Sequence, residues 1–411
     1  MKSLAILSLV FLPLISIGDR EQIRAFHEAW AAAGFDVELQ SEAILSLKGA
    51  DSDEVARILV KILGAKEIPF SVEDAVIEVL RTLKSEPAVR RLAKEVRSHS
   101  RWQARVIIAK ALRLLRNPLA LEGLHKGLKH PRWAVRSAVV GAIGATRSKD
   151  SIAVLIKQLK KEDGRVAGEI HKALRRITGK DMAHLEEWQT WWKWAKEKFK
   201  VPPTKTSKPR PVVDQGNTVT KSIYGEVISK KLIFVIDISE SMKVVLTDGP
   251  DRGLSRMQIM KRELTRAVLW ALPEKAEFNV IAYATDVLPW KKELVESTQK
   301  NRDAACAWVE RLERSGETNV MAALDVALGE KDIDTIYFLS DGSPSTGRIT
   351  NVQDILKEVR RQNGARNVVI NTIALLGGDG KLYKLVEAKP MARSFLKDLA
   401  SQNEGTFTAF E

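Results

Sequence analysis

Two different rhythms of apolar residues run along the chain. In the first half they recur at helical spacing, and the pattern repeats about every 31 residues. With Arg101-Trp102 set against Arg132-Trp133, the positions Ala104, Ile107, Ile108, Ala111 and Leu112 fall on Val135, Ala138, Val139, Ala142 and Ile143. Each set marks one face of a helix. At the same offset Leu121, Leu124 and Leu128 fall on Ile152, Leu155 and Leu159, with turn residues at Asn117-Pro118 and over Arg147–Asp150. The unit is therefore helix, turn, helix. Fainter copies lie at Val166, Ile170, Ala173 and Leu174, and earlier at Val76, Ile77 and Leu80 followed by Val89, Leu92 and Val96; the Val55–Leu63 stretch predicts one more helix.

In the second half, continuous apolar runs of strand length alternate with amphipathic stretches. The expected order is strand Lys231–Asp237, helix Gln258–Leu272, strand Glu277–Ala284, helix Arg302–Arg314, helix Val320–Leu328 and strand Thr335–Ser340. Helix Val352–Gln362, strand Asn367–Leu375, helix Ala392–Gln402 and strand Thr406–Phe410 follow, and Ser222–Ser229 reads as an edge strand. Runs without polar alternation indicate strands buried on both faces. The alternation with helices predicts a mostly parallel, doubly wound sheet.

The helical half resembles HEAT-type repeats, which stack helix pairs into a solenoid. A solenoid needs a cap over its last apolar face, and Trp188, Trp191, Trp192, Ala195 and Phe199 supply one at helical spacing. Lys200–Pro211 is rich in Pro, Lys and Ser and reads as an extended linker. The expected organisation is a leader at 1–18, a HEAT-like domain at 19–199, a linker at 200–220 and an α/β domain at 221–411. The fold class is thus multidomain: an α-helical solenoid followed by an α/β doubly wound domain.

Length and composition agree with this division. At 411 residues the chain exceeds one ordinary core, and 45% apolar content excludes wholesale disorder. Residues 1–18 carry one lysine, then an apolar stretch, then the small residues Ser16 and Gly18 around Ile17. This resembles a secretory signal peptide and implies a secreted, periplasmic or cell-envelope protein; an uncleaved N-terminal anchor is the competing reading. No later stretch is long enough to span a bilayer. Cys306 is the single cysteine, which excludes an intramolecular disulfide, and its helical surroundings make it a small hydrophobe. Charge is uneven: residues 19–80 hold 6 basic and 13 acidic residues, residues 81–180 hold 25 basic and 7 acidic. So strong a positive field favours anionic partners, an anionic polymer or an acidic surface; nucleic acid lacks the usual motifs here and conflicts with export.

The candidate chemistry lies in three separated segments: Asp237-Ile238-Ser239-Glu240-Ser241, Thr318-Asn319 and Ser340-Asp341-Gly342. Carboxylates and hydroxyls are hard oxygen ligands of the kind Mg2+ accepts, and thiolate and imidazole are missing from the set, which argues against a zinc or copper site. Both aspartates follow apolar runs, so each sits at the carboxyl end of a strand, where open α/β sheets place ligands. All six histidines fall in the helical half, leaving the serines without a histidine base, and Gly377-Gly378-Asp379-Gly380 lacks the Lys-Ser/Thr of a phosphate loop.

In order and spacing these segments resemble the metal-ion-dependent adhesion site of von Willebrand factor type A domains, over residues 221–411. The resemblance implies metal ligands Asp237, Ser239, Ser241, Thr318 and Asp341. The two serines would bind Mg2+ or Mn2+ directly, the aspartates directly or through water, and Thr318 when a ligand is engaged. An acidic side chain from a protein partner would complete the shell. Glu240 departs from the pattern, which usually has Gly there. The function implied is non-enzymatic, cation-dependent protein binding or adhesion. The alternative is an anionic-polymer binder working through the basic solenoid, with the metal site structural.

Overall fold

The computed structural model describes residues 17–203, 223–225, 227–378 and 385–410. The expected leader, apart from Ile17 and Gly18, and the expected linker, apart from residues 200–203, lie outside them. Two compact units emerge, Met1–Lys160 with Ile170–Pro202, and Lys161–Glu169 with Pro203–Glu411. Among the described residues no helix is long and apolar enough to cross a membrane.

The first unit is built from helices α1 (Ile17–Ala33), α2 (Val37–Leu45), α3 (Asp53–Leu63), α4 (Phe70–Leu80), α5 (Glu86–Ser98), α6 (Trp102–Leu115), α7 (Leu121–Gly127), α8 (Trp133–Thr146), α9 (Asp150–Leu159), α10 (Gly164–Thr178, from Ile170 onward) and α11 (Leu185–Ala195). Side-chain oxygens of Asp36, Ser52 and Ser85 accept the first free N–H groups of α2, α3 and α5, which fixes where those helices begin. The apolar positions that define the repeat, from Ala104 to Leu112 and from Val135 to Ile143, are all buried, as are Leu121, Leu124, Leu128, Ile152, Leu155 and Leu159. The equivalent helices α6 and α8 also end alike. Arg116 and Arg147, 31 residues apart, both take the left-handed conformation at the C-cap. The cap is as expected: Trp188 is fully buried, with its indole Nε1 donating to His171 Nδ1 at 3.0 Å; Trp191 packs edge to face on it, and Phe199 edge to face on Trp191 and Trp192.

The second unit carries one sheet. Its strands are β1 (Lys231–Asp237), β2 (Glu277–Tyr283), β3 (Val287–Pro289), β4 (Val295–Glu296), β5 (Thr335–Ser340), β6 (Val369–Leu375) and β7 (Phe407–Phe410). The helices are α12 (Arg256–Arg266), α13 (Gln299–Glu310), α14 (Val320–Gly329), α15 (Val352–Asn363) and α16 (Leu385–Gln402). The strand order is β3-β2-β1-β5-β6-β7, with β4 also on β2; β2, β1, β5, β6 and β7 run parallel, and β3 and β4 antiparallel. Alternate residues of β1 feed opposite cores. Leu232, Phe234 and Ile236 pack with Ile259, Met260 and Leu264 of α12, while Ile233 and Val235 pack with Met321 and Leu324 of α14 and Phe395 of α16.

Several boundaries differ from expectation for local reasons. Helix α12 starts at Arg256 because Ser255 and Gln258 form a capping box, and beyond Arg266 it continues as a π-helical turn, Ala267–Ala271. Helix α13 starts at Gln299, capped by the Thr298 hydroxyl. Helix α16 runs through Pro390, where a helix start beyond the proline was expected. The stretch expected as an edge strand before β1 is a turn and coil in its described residues, with Ile223, Tyr224 and Val227 buried; the edge is formed by β3 and β4.

Candidate metal centre

The sheet order places the site. From β1 the chain crosses to β2 on one side, then returns past β1 to β5 on the other. The strand order thus reverses beside the carboxyl end of β1, and a crevice opens there in any doubly wound sheet. Asp237 ends β1 and Asp341 follows β5, so both carboxylates reach that crevice.

Within it, Ser239 Oγ and Ser241 Oγ are 3.0 Å apart, and Ser241 donates to Asp341 Oδ1 at 2.8 Å. Asp237 faces inward: its Oδ1 accepts the Ser239 backbone N–H at 2.9 Å, and its Oδ2 accepts the Ser340 hydroxyl at 2.7 Å and the Tyr283 hydroxyl at 3.3 Å. Asp237 therefore shapes the loop and supplies charge from below. Thr318 is buried in the neighbouring loop. That loop is tied to the first segment by Glu240 N–H on the Gly316 carbonyl at 3.1 Å. It is tied to the third by Thr318 N–H on Ser345 Oγ at 2.9 Å and Ser345 N–H on the Thr318 carbonyl at 3.0 Å. Gly316, at φ 62°, lets it pass against Thr285, where a Cβ would collide with the threonine hydroxyl. The three segments are thus fastened together by backbone bonds, with Ser239, Ser241 and Asp341 meeting directly.

Two residues at the site, Arg256 and Tyr283, were not singled out from sequence, and Ser340 was named there without a role. Arg256 Nη1 donates to Asp341 Oδ2 at 2.7 Å, with side chains 1% and 0% exposed, and its Nε and Nη2 donate to the Gly377 carbonyl at 3.1 and 3.0 Å. The available signal was a basic residue in the first turn of a helix, against the helix dipole, which calls for a compensating anion. Tyr283 pairs in register with Asp237, and Ser340 immediately precedes Asp341.

Burial and neighbouring charge shift the acids of the site. Burial, and then the neighbouring Asp341, push Asp237 up to about 6. Burial also raises Asp341 despite Arg256, and it raises the Tyr283 phenol well above the usual range. Two carboxylates against one guanidinium leave a net single negative charge under a cluster of hydroxyls. The donors fit a hard divalent cation. A Mg2+–oxygen distance of about 2.0–2.1 Å implies octahedral edges of about 2.9 Å, and the two oxygen separations here match. The same spacing serves the hydrogen bonds that these residues make with one another here. Among the described residues no group of three or more His, Cys, Asp or Glu could hold a metal.

Residues 230–387 match the model of the von Willebrand factor type A domain, and residues 89–175 match HEAT repeats. The human von Willebrand factor A domain-containing protein 3A is 29% identical over 190 residues, covering 46% of this chain and 14% of that protein. The mouse inter-alpha-trypsin inhibitor heavy chain H3 is 27% identical over 191 residues, covering 44% of this chain and 19% of that protein. The chain thus spans less than a fifth of the length of either relative. Among solved structures, BatB from Bacteroides thetaiotaomicron aligns with 44% of this chain and 89% of its own, at 15% identity and a TM-score of 0.33. Residues 230–387 are thus a von Willebrand factor type A domain, with HEAT repeats ahead of it at residues 89–175.

Proposed function

We propose that this protein is a non-enzymatic binding protein. In this reading its type A domain holds Mg2+ or Mn2+ on Ser239, Ser241 and Asp341, with Asp237 and Thr318 supporting, and uses the ion to capture an acidic side chain of a partner protein. The observation that carries this is the convergence of two serine hydroxyls and one Asp341 oxygen at the switch point, while Arg256 occupies the other Asp341 oxygen. A divalent ion added to a site of net charge minus one leaves one positive charge in a crevice of low dielectric. Such a charge draws a carboxylate. The bound ion supplies Lewis acidity and an exchangeable position; the chain supplies orientation and a fixed charge. Likeness to the inter-alpha-trypsin inhibitor heavy chain and to other type A domain proteins supports an interaction role. A leader at residues 1–18 would set that interaction outside the cytoplasm.

The test loads the full chain with Mn2+ and follows water-proton relaxation while glutarate is added. Enhancement that glutarate quenches is the expected result, since a carboxylate would displace bound water. Enhancement indifferent to glutarate at concentrations up to the solubility limit would contradict the capture of acidic groups.

A further inference from the structure

Helix α11 is anchored in the helical unit through one side chain. Of its residues only Trp188 is buried, while Trp194 on the same helix is exposed. The Trp188 indole Nε1 donates to His171 Nδ1 on α10 at 3.0 Å, with the ring centroids 6.4 Å apart. Trp188 has no other hydrogen-bond partner among the described residues. A fully buried indole N–H needs an acceptor, so this one bond keeps the burial of Trp188 favourable.

The same His171 Nδ1 lies 3.2 Å from the Met182 carbonyl, in the segment between α10 and α11. One ring nitrogen thus stands between a donor and an acceptor, and it cannot serve both. With a lone pair in the ring plane it accepts from Trp188; with a proton there it donates to Met182. The neutral ring serves Trp188 by carrying its proton on Nε2. An imidazolium carries protons on both nitrogens. Only the bond to Met182 then remains, and the Trp188 N–H is left buried without an acceptor.

No carboxylate is hydrogen-bonded to His171 among the described residues. Arg175, one turn along α10, is paired with Asp181 at 2.6 Å. At the start of α11, Glu187 accepts the N–H groups of Ala183 and His184 at 2.9 and 2.8 Å. Lys180 lies over the Trp191 ring at 5.8 Å. Helix α8 meets α10 where Gly144 approaches Ala173, and its one charged residue, Arg136, donates to the His130 and Pro131 carbonyls at the start of α8. Helix α9, which packs on α11, carries Asp150 and Lys157. Burial lowers the His171 pKa; the Met182 carbonyl and Asp181 raise it, and Arg175 and His184 lower it. The folded chain therefore binds this proton less tightly than the unfolded chain. The bond to Trp188 contributes fully above the ordinary value of 6.5 and is lost as the pH falls below it.

We infer that His171 is an acid-operated latch on α11: the neutral ring holds Trp188, and the protonated ring gives its Nδ1–H to Met182 and releases α11 from the helical unit. The latch uses no residue of the metal centre.

The experiment follows the tryptophan indole N–H signals and the His171 ring signals of the full chain by NMR in EDTA, with Trp188 assigned by its contacts to α10. Wild type is compared with His171→Gln, which offers an acceptor that no proton removes, and with Trp188→Phe, which removes the donor. The Trp188 indole proton should exchange with deuterated solvent at similar rates in wild type and His171→Gln at about pH 8, and about tenfold or more faster in wild type at about pH 5. The His171 pKa should rise by about one unit in Trp188→Phe, where the neutral ring has lost its donor. Equal exchange in wild type and His171→Gln at the acid pH, or an unchanged His171 pKa in Trp188→Phe, would overturn the latch. If one variant does not melt as wild type does, the comparison with the other decides.

Discussion

Arg256 Nη1 and Asp341 Oδ2 lie 2.7 Å apart with both side chains sealed from solvent. The guanidinium also bridges to the Gly377 carbonyl beyond β6, so one side chain links the start of α12, the end of β5 and the loop after β6. A buried ion pair of this kind adds little net stability over an apolar substitute, yet breaking it strands a charge. Its value here is orientation: it leaves Asp341 Oδ1 turned toward Ser241.

Arg256→Met should therefore destabilise the metal-free protein by roughly 3 kcal/mol, because Asp341 stays buried without its partner. Added Mg2+ should recover part of that loss by supplying a new counter-charge. Denaturant unfolding with and without Mg2+ measures both effects, and an equal loss in the two conditions would argue that no cation reaches Asp341.

The pH dependence follows from Asp237. Its carboxyl is raised from 3.8 to about 6 by burial and by Asp341, so the folded chain holds this proton more tightly than the unfolded chain. The resulting stabilisation is complete below about pH 4 and lost as the pH climbs through about 6, amounting to about 3 kcal/mol at most. Stability of the metal-free wild type should fall over that window relative to Asp237→Asn, while Mg2+ should flatten the fall and bind more weakly below pH 6. Thermal melts in EDTA and in Mg2+ across pH 4–7 give the comparison.

Much of this architecture was legible in the chain. Helical periodicity located the repeats because α6 and α8 each bury one continuous face, and the apolar runs located β1 and β5 because those strands are covered on both sides. The strand-end positions of Asp237 and Asp341 were legible because each pairs an apolar run with a short polar sequence, whereas Thr318 lies in a loop between α13 and α14. The Arg256–Asp341 bridge was not, since it joins residues 85 apart and depends on how α12 packs. The edge formed by β3 and β4 was missed because strands of three and two residues carry too little pattern. The early start of α12 and α13 lay in their capping residues, Ser255 and Thr298, which sit outside the apolar rhythm.

Close approach in the solenoid makes a separate prediction. Gly123 on α7 lies against α5, where a Cβ would run into the Ala93 carbonyl. Gly123→Ala gains helix propensity yet should destabilise the helical unit by about 1–3 kcal/mol, since backbone must move to admit one methyl. A melt showing the variant at or above wild-type stability would contradict that packing.

Glu240, in the place of the usual glycine, is 55% exposed and lies 3.8 Å from Lys243. Screening by solvent and by that lysine limits its pull on a cation, so Glu240→Gly should weaken Mg2+ binding only a few-fold, at roughly 0.5 kcal/mol. A loss comparable to that of Ser241→Ala would instead make Glu240 a ligand.

If Ser239, Ser241 and Asp341 hold a divalent cation, calorimetric titration of Mg2+ and Mn2+ into the full chain reads that binding out. Saturable binding at one site, abolished in Ser241→Ala and in Asp237→Ala while both variants remain folded, is the predicted result. Binding that persists unchanged in both variants would place the cation elsewhere and contradict the account.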